Sequence, residues 1–124
     1  MKPCNYGFIP GTLDDDGDEL DTLIVSPEPL PTGLLLKAKV IGILNFEDDG
    51  EADHKVVCVP ADDRNSGDSI NSLDDLGARW QEQIVHHFSH YKDLKRPGTT
   101  KVLGWGNAED AKKTIQECIE RFSA

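Results

Sequence analysis

Two short acidic segments carry most of the side chains that could do chemistry in this sequence. Residues 14–21 read DDDGDELD, with a carboxylate at six of eight positions, and residues 47–53 read EDDGEAD. Crowded carboxylates repel one another, so they must bind protons, stay hydrated or face a cation. Carboxylate oxygens are the ligands that hard divalent cations prefer. The two segments together therefore predict a divalent-metal site.

The first segment has two simpler interpretations. Asp14, Asp16 and Asp18 alternate as in a calcium-binding EF-hand loop, but that loop needs Gly at its sixth position and Glu at its twelfth. Here those positions hold Glu19 and Val25, so the EF-hand interpretation fails. A solvated acidic turn is the usual explanation of an isolated acid run. Two such runs, each at the end of a predicted strand, favour the metal site instead.

A lysine close to the second segment extends this chemistry to phosphate. Lys55 lies two residues after Asp53, so both side chains point the same way on a strand. Carboxylates, metal and lysine together suit a phosphate substrate, because its negative oxygens must be neutralised before an anionic nucleophile can attack.

Strands in the first half of the chain must position these acids. Apolar and β-branched runs predict strands at 22–25, 34–46 and 55–59, and a further short strand is predicted at 100–105. Both acidic segments then lie at strand ends, where they can converge on one side of a barrel.

Two helices are predicted in the second half. Apolar residues recur at helical spacing from residue 76, and Ser72 and Asp75 offer a capping pair before them. These apolar residues are Leu76, Trp80, Ile84, Phe88 and Tyr91. Asn107 is predicted to cap a last helix, with Asp110 three residues further on. The apolar face of that helix comprises Ala108, Ala111, Ile115, Cys118 and Phe122.

Length, charge and cysteine content exclude several classes of function. A chain of 124 residues is one domain, and its formal net charge of −10 argues against nucleic acid and anionic membranes as partners. Three cysteines without CxxC spacing indicate neither a zinc site nor a disulfide framework, and they favour reduced thiols. Since neither a signal peptide nor a membrane-spanning run is recognised, we expect a cytoplasmic protein.

Four segments carry a family resemblance: PCNYGFIPGTLDDDGDELD at 3–21, GILNFEDDGEADHKVVCVP at 42–60, HHFSHYKDL at 86–94 and KVLGWGNAEDAKKTI at 101–115. Through them the sequence resembles the soluble family I inorganic pyrophosphatases, whose signature is a D-G-D-x-x-D cluster followed by a hydrophobic strand. The resemblance implies an α+β fold, with an OB-type β-barrel that is incomplete at its N-terminal strands and two C-terminal helices packed against it. Residues 1–124 would form a single pyrophosphatase domain lacking the family's N-terminal strands.

The resemblance also implies a role for each matching acid. Asp16, Asp21 and Asp53 would bind the principal metal ion, and Asp21 would also reach a second one. Asp48 would bind further metal ions that arrive with the substrate. Asp18 matches the residue that takes a proton from the water lodged between the metal ions. The expected cofactor is Mg²⁺, which lowers the pKa of that water so that hydroxide forms near neutral pH.

Further residues match groups that surround the substrate, inorganic pyrophosphate. Lys55, Tyr91 and Lys92 match residues that hold phosphate oxygens, and Tyr6 matches a tyrosine that lines the same cavity. The other acids of the two segments are expected to be solvated: Asp14, Asp15, Glu19, Glu47, Asp49 and Glu51.

A row of side chains on the first helix is expected at a subunit contact. His86, His90 and Asp93 follow at i, i+4 and i+7, roughly opposite the apolar stripe. No acid follows His86 in the arrangement of an HExxH zinc motif. Because bacterial members of the family are commonly homohexamers, the resemblance implies a homo-oligomer held in part by this row.

The resemblance leaves one alternative function open. Relatives begin well before the PCNYG segment, with strands that supply a glutamate, a lysine and an arginine to the active site. The alternative is therefore a catalytically weak or inert divalent-metal-binding remnant that associates with other subunits. An acidic OB-type binding module would leave the ordered aspartates unexplained, and an aromatic content of 6% offers few stacking platforms.

Overall fold

The computed structural model describes residues 4–26, 29–61, 69–91, 94 and 98–124. In chain order its elements are β1 Asn5–Ile9, β2 Leu20–Ile24, β3 Ala38–Asp48, β4 Glu51–Ala52, β5 Lys55–Pro60, a 3₁₀ turn Leu73–Leu76, α1 Ala78–His90, β6 Thr100–Asn107 and α2 Ala108–Ser123. No helix in these ranges has both the length and the apolar character needed to cross a bilayer.

The strands form one mixed sheet in the order β1-β2-β5-β3, with β6 on the far side of β3. The β2 and β5 strands pair in parallel, and the other pairs are antiparallel. The long β3 strand pairs with β5 along residues 38–44 and with β6 along residues 42–48. Its register shifts once in each pairing, which bends the strand. Within the described ranges the sheet does not close, since β1 and β6 pair on one side only.

A helix covers each face of the sheet. Side chains of α1 join a core cluster that contains Leu23, Leu44, Phe46, Val57, Ile84 and Phe88. Side chains of α2 join a second cluster that contains Leu20, Ile43, Val56, Ala111 and Cys118. The β5 strand alternates between them, and it is apolar at successive positions because both of its faces are buried. This arrangement confirms the predicted α+β fold with two helices packed against an incomplete barrel sheet.

Three predicted strands agree with the structure to within two residues at each end, and the fourth begins later than expected. The strand predicted at 34–46 is β3, which starts at Ala38. Leu34 and Leu35 lie before it and are exposed, Leu35 to 87%. The prediction began too early because residues 34–37 are largely apolar, but this segment pairs with no strand of the described structure.

One of the two predicted helix caps is confirmed, and the other belongs to a different element. The Asn107 side chain accepts a hydrogen bond from the Asp110 backbone nitrogen at 2.9 Å, and the Asp110 side chain accepts one from the Asn107 backbone nitrogen at 3.0 Å. This pair caps the start of α2 as predicted. Asp75 accepts from the Ser72 backbone at 3.2 Å, but this pair caps the 3₁₀ turn. The chain then turns at Gly77, whose φ is +85°, and α1 begins at residue 78.

The two predicted helical stripes are buried in part. Ile84 and Phe88 of α1 are buried, as are Ala111 and Cys118 of α2. Phe122 was expected on the buried face of α2 but is 58% exposed, since it lies in the last turn beyond the edge of the core.

Candidate active site

Lys55 lies at the centre of the acidic residues. It is the first residue of β5 and is opposite Asp21 in the parallel pairing with β2. Its Nζ lies 2.7 Å from Asp21 Oδ2 and 3.1 Å from Asp53 Oδ1. The ring centroids of Phe46 and Phe88 each lie 5.6 Å from Lys55 Nζ, within the range of a cation–π interaction. Burial alone would lower the pKa of Lys55, but the hydrogen bond to Asp21 and the charge of Asp53 hold it above its usual range.

Two aspartates contact this lysine and a third lies beside Asp53, and we call Asp16, Asp21 and Asp53 the site cluster. The Asp53 side chain lies within hydrogen-bonding reach of both Asp16 and Asp21. Asp53 is 8% exposed, and its burial raises its pKa to about 6, with Asp21 adding to the rise and Lys55 opposing it. Burial also raises the pKa of Asp16, and the charges of Asp14 and Asp18 add to that rise.

The site cluster fits a divalent cation by its chemistry. It holds two carboxylates against one lysine with a third beside Asp53, and burial, together with neighbouring carboxylates, raises the pKa values of Asp16 and Asp53. Over the described part of the chain, no group of three His, Cys, Asp or Glu side chains is arranged to hold a metal ion. In this structure Lys55 occupies the space between Asp21 and Asp53.

The other two predicted acids lie in the same two loops. Asp18 is exposed in the first loop, and its backbone nitrogen donates to Asp16 Oδ1 at 3.0 Å. Asp48 ends β3 and is half-buried. It precedes a two-residue hairpin turn of Asp49 and Gly50 with positive φ values, 54° and 79°, the turn that an Asp-Gly pair favours.

Two tyrosines lie on the α1 side of Lys55. Tyr6 donates or accepts a hydrogen bond with His87 Nε2 at 2.8 Å, and its ring lies 6.1 Å from that of Phe88. Burial raises the pKa of Tyr6 to about 12, helped by Cys4 and opposed by Lys55. Tyr91 follows α1, and its ring lies 6.3 Å from Phe46. Both tyrosines remain partly exposed, whereas the predicted Lys92 lies outside the described residues.

A second group of charged residues was missed by sequence reasoning. Asp14 was expected to be a solvated loop acid, and that prediction is wrong, because Asp14 is 3% exposed. Its Oδ2 accepts from the His54 backbone nitrogen at 2.8 Å, and its Oδ1 lies 3.1 Å from His54 Nδ1 and accepts from the Asp15 backbone at 2.9 Å. Arg121 of α2 lies 3.9 Å from the same carboxylate and 3.1 Å from Asp15. We call Asp14, Asp15, His54 and Arg121 the Asp14 cluster.

Hydrogen bonding within the Asp14 cluster shifts two pKa values. Burial acts to raise the pKa of Asp14, but hydrogen bonds from His54 and from the Asp15 backbone outweigh it and lower the pKa. The hydrogen bond to Asp14 raises the pKa of His54 above its usual value. His54 lies between Asp53 and Lys55 in sequence, and His87 bonds to Tyr6; neither contact had a local sequence signal.

Comparison with known proteins decides the family. The family model for inorganic pyrophosphatase matches residues 1–123. Over 122 residues the chain is 62% identical to the inorganic pyrophosphatase of Neisseria meningitidis serogroup B, which covers 98% of this chain and 69% of that relative. This chain belongs to the inorganic pyrophosphatase family. The inorganic pyrophosphatase of Haemophilus influenzae is 59% identical over the same length.

Solved pyrophosphatase structures share the fold. The crystal structure of an inorganic pyrophosphatase from Neisseria gonorrhoeae matches with a TM-score of 0.96 at 60% identity, covering all of this chain and 72% of that one. The structure of the Thermus thermophilus pyrophosphatase matches with a TM-score of 0.90 at 37% identity, covering 98% of this chain and 71% of that one. The family resemblance of the sequence is therefore confirmed.

Two of the three residues predicted at a subunit contact, His86 and His90, lie on α1. His86 and His90 are exposed one turn apart, with ring centroids 4.8 Å from each other. They line a groove together with Val85 and Trp105 of β6. The third member of the predicted row, Asp93, lies outside the described residues.

Proposed function

We propose that this chain hydrolyses inorganic pyrophosphate to two orthophosphates with Mg²⁺ as its cofactor. The observation that carries the proposal is the site cluster, in which Asp16, Asp21 and Asp53 crowd together beside a single lysine in a chain of this family. Pyrophosphate itself is highly anionic, so these carboxylates would repel it unless a cation stood between them.

Asp16, Asp21 and Asp53 would hold the principal metal ion, Asp21 would reach a second one, and Asp48 would bind ions that arrive with the substrate. When bound, divalent cations would neutralise phosphate oxygens and lower the pKa of a water molecule. The sheet suits this role, since Asp21 lies within β2 and Asp53 lies two residues before β5. A rigid sheet thus fixes two of the proposed ligands.

Asp18 would accept the proton of the attacking water. It is exposed in the loop of the site cluster, and its backbone bond to Asp16 at 3.0 Å ties it to a proposed ligand. An exposed carboxylate can take a proton from an acidified water molecule and release it to solvent.

Lys55, Lys92, Tyr91 and Tyr6 would bind phosphate oxygens. The Lys55 ammonium group is already at the site cluster, 2.7 Å from Asp21, so it would meet any phosphate held there. The partly exposed hydroxyl groups of Tyr6 and Tyr91 can donate hydrogen bonds, and the raised pKa of Tyr6 keeps its proton in place at neutral pH.

The proposal includes a single domain, a homo-oligomer and a cytoplasmic location. The match of the family model to residues 1–123 supports one domain. The exposed pair of His86 and His90 would contact another copy, in a homohexamer by the family resemblance. The three cysteines, all within the described ranges, form no disulfide, as is usual for proteins of a reducing compartment.

The test of the proposed function is phosphate release from pyrophosphate at neutral pH with millimolar Mg²⁺. We expect release that EDTA abolishes. Asp18→Asn should lower kcat by about 100-fold or more, since the amide cannot accept the proton, while Mg²⁺ binding by calorimetry stays largely intact. Glu19→Gln removes the next acid in the same exposed loop and should behave like the unmodified protein.

Two outcomes would contradict the proposal. Equal turnover by Asp18→Asn would remove Asp18 from the reaction. Folded protein that binds Mg²⁺ but releases no phosphate would instead support an inert metal-binding protein that associates with other subunits.

A further inference from the structure

Asp14 joins three parts of the molecule that are distant in sequence. Its carboxylate accepts from the backbone of His54, 40 residues away, at 2.8 Å, and lies 3.1 Å from His54 Nδ1. On another side it lies 4.0 Å from the Cys118 thiol of α2. At 3% exposed it is the most deeply buried carboxylate of the described residues. A buried carboxylate with several donors holds its neighbours in one arrangement, because every alternative would leave it unsatisfied.

These contacts lie directly beside the site cluster. Asp14 is two residues before Asp16, and its partner His54 is between Asp53 and Lys55. The backbone bond and the imidazole contact of His54 with Asp14 therefore together fix the spacing between the loop that carries Asp16 and the segment that carries Asp53 and Lys55. Sheet pairing cannot do this, because Asp14 and Asp16 precede β2 and have no ladder partner of their own.

The last turns of α2 also hold the segment that carries Asp14. The backbone nitrogen of Leu13 donates to the Cys118 carbonyl at 3.0 Å, and Arg121 Nη1 donates to the Leu13 carbonyl at 3.0 Å. Arg121 Nη2 also reaches Asp15 at 3.1 Å. Both backbone groups of Leu13 are thus hydrogen-bonded to α2, which packs on the sheet. The helix therefore orients the Asp14 carboxylate towards His54.

We propose that Asp14 is a positioning residue, which holds the two acidic loops at the distance that the site cluster needs to bind its divalent cation. This inference rests on the proposed function only for its kinetic consequence, since cation binding can be measured without substrate. Asp14 acts through His54 and contacts neither cation nor phosphate.

The experiment compares Asp14→Asn with Asp15→Asn, which removes the same charge one residue away on an exposed side chain. Asn at position 14 keeps the shape of the side chain but presents an amide donor to groups that are themselves donors. We expect Mg²⁺ affinity, measured by calorimetry without substrate, to fall about tenfold, and kcat to fall by about as much with little change in KM. Asp15→Asn should stay within about twofold of the unmodified protein on both measures.

A second variant tests whether Asp14 acts through His54. His54→Ala retains the charge of Asp14 and its backbone bond but removes the imidazole contact, so a smaller loss of Mg²⁺ affinity is expected. The double variant should be no worse than Asp14→Asn alone, because both changes break one interaction. Thermal unfolding and circular dichroism establish the folded range, and all binding is measured well below the unfolding midpoints. If Asp14→Asn does not fold, the Mg²⁺ affinity of His54→Ala decides the matter.

Several results would overturn the positioning role. A folded Asp14→Asn protein with unchanged Mg²⁺ affinity and kcat would leave Asp14 a structural residue only. An equal loss of Mg²⁺ affinity in Asp15→Asn would show that the effect is one of charge alone. If the losses of the two single variants multiply in the double variant, Asp14 and His54 act independently. His54→Ala with unchanged Mg²⁺ affinity, where Asp14→Asn does not fold, would also overturn it. If the unmodified protein releases no phosphate, the proposed function fails, while the Mg²⁺ titrations still decide this inference.

Discussion

The aspartates of the site cluster and of the Asp14 cluster come from the same two acidic segments, yet the clusters differ in charge balance. In the site cluster, Asp21 and Asp53 share the ammonium group of Lys55, and the third carboxylate, that of Asp16, lies beside Asp53. In the Asp14 cluster, one buried carboxylate has two backbone donors and an imidazole, with a guanidinium group nearby. The first cluster has an excess of negative charge, and in the second that charge is compensated.

The pKa values report this difference directly. Burial raises the pKa of Asp53 to about 6, and Lys55 does not cancel the rise. Asp14 is also buried, but its hydrogen bonds from His54 and Asp15 outweigh burial and lower its pKa. Acidity in the sequence therefore does not distinguish a cation site from a structural acid. What distinguishes them is whether the protein supplies enough partners for the charge.

The largest test of this comparison is Lys55→Met. Removing the ammonium group leaves Asp21 and Asp53 without their cation, so the free energy of unfolding in metal-free buffer should fall by about 3 kcal/mol. Mg²⁺ should then restore more stability to the variant than to the unmodified protein, because a cation bound only by the folded state stabilises it. Urea unfolding with EDTA and with Mg²⁺ measures both effects.

The matched control for this variant is Lys112→Met. Lys112 is exposed on α2, and its Nζ lies 3.6 Å from Glu109. Its loss should change stability by no more than about 0.5 kcal/mol. Equal losses in the two variants, or equal gains from Mg²⁺, would show that the site cluster has no excess charge to compensate.

A smaller test uses the pH dependence of stability in metal-free protein. The folded protein keeps a proton on Asp53 up to about pH 6, whereas the unfolded chain releases it at about pH 4. The folded state therefore binds more protons in that window, so its stability falls as the pH rises through it. In the unmodified protein the free energy of unfolding should fall by an amount on the order of 2 kcal/mol from pH 4 to pH 7, and in Asp53→Asn this fall should be absent. Urea unfolding across this pH range measures both.

Asp15→Asn provides the comparison for that pH series, since it removes an exposed carboxylate of the Asp14 cluster. Its stability profile should run parallel to that of the unmodified protein across the window. If the profile of Asp53→Asn also runs parallel, the charge of Asp53 is already compensated and the contrast between the clusters is lost.

The sequence predicts those features of the fold and the site that have local signals. Asn107 and Asp110 cap α2 because a capping box is complete within four residues. Lys55 and Asp53 lie together as predicted, with charged atoms 3.1 Å apart, although Asp53 precedes β5 and is not itself in a strand. Ser72 and Asp75 form a box as well, but a cap pattern does not reveal that Gly77 turns the chain before α1 starts.

Features that depend on distant partners were not predictable. Asp21 contacts Lys55 because β2 and β5 pair in parallel, and the sequence of neither strand specifies the register of that pairing. Asp14 is followed in sequence by other acids, and its partners His54 and Cys118 are 40 and 104 residues away. Local composition predicted a solvated acid there, because only the folded chain brings donors to it. The same limit applies to the contact between Tyr6 and His87.

The smallest test removes the cation of the Asp14 cluster that lies farthest from the carboxylate. Arg121→Gln loses an exposed ion pair with Asp15 at 3.1 Å and a bond to the Leu13 carbonyl at 3.0 Å. Stability should fall by about 0.5–1 kcal/mol in low-salt urea unfolding, and by less in high salt, since solvent ions screen exposed pairs. Lys112→Gln, which also removes an exposed cation from α2, should lose less. The expected loss is small because His54 and the Asp15 backbone still hold Asp14 when the guanidinium group is gone. A loss as large as that of Lys55→Met would mean that Asp14 depends on one cation as strongly as the site cluster does.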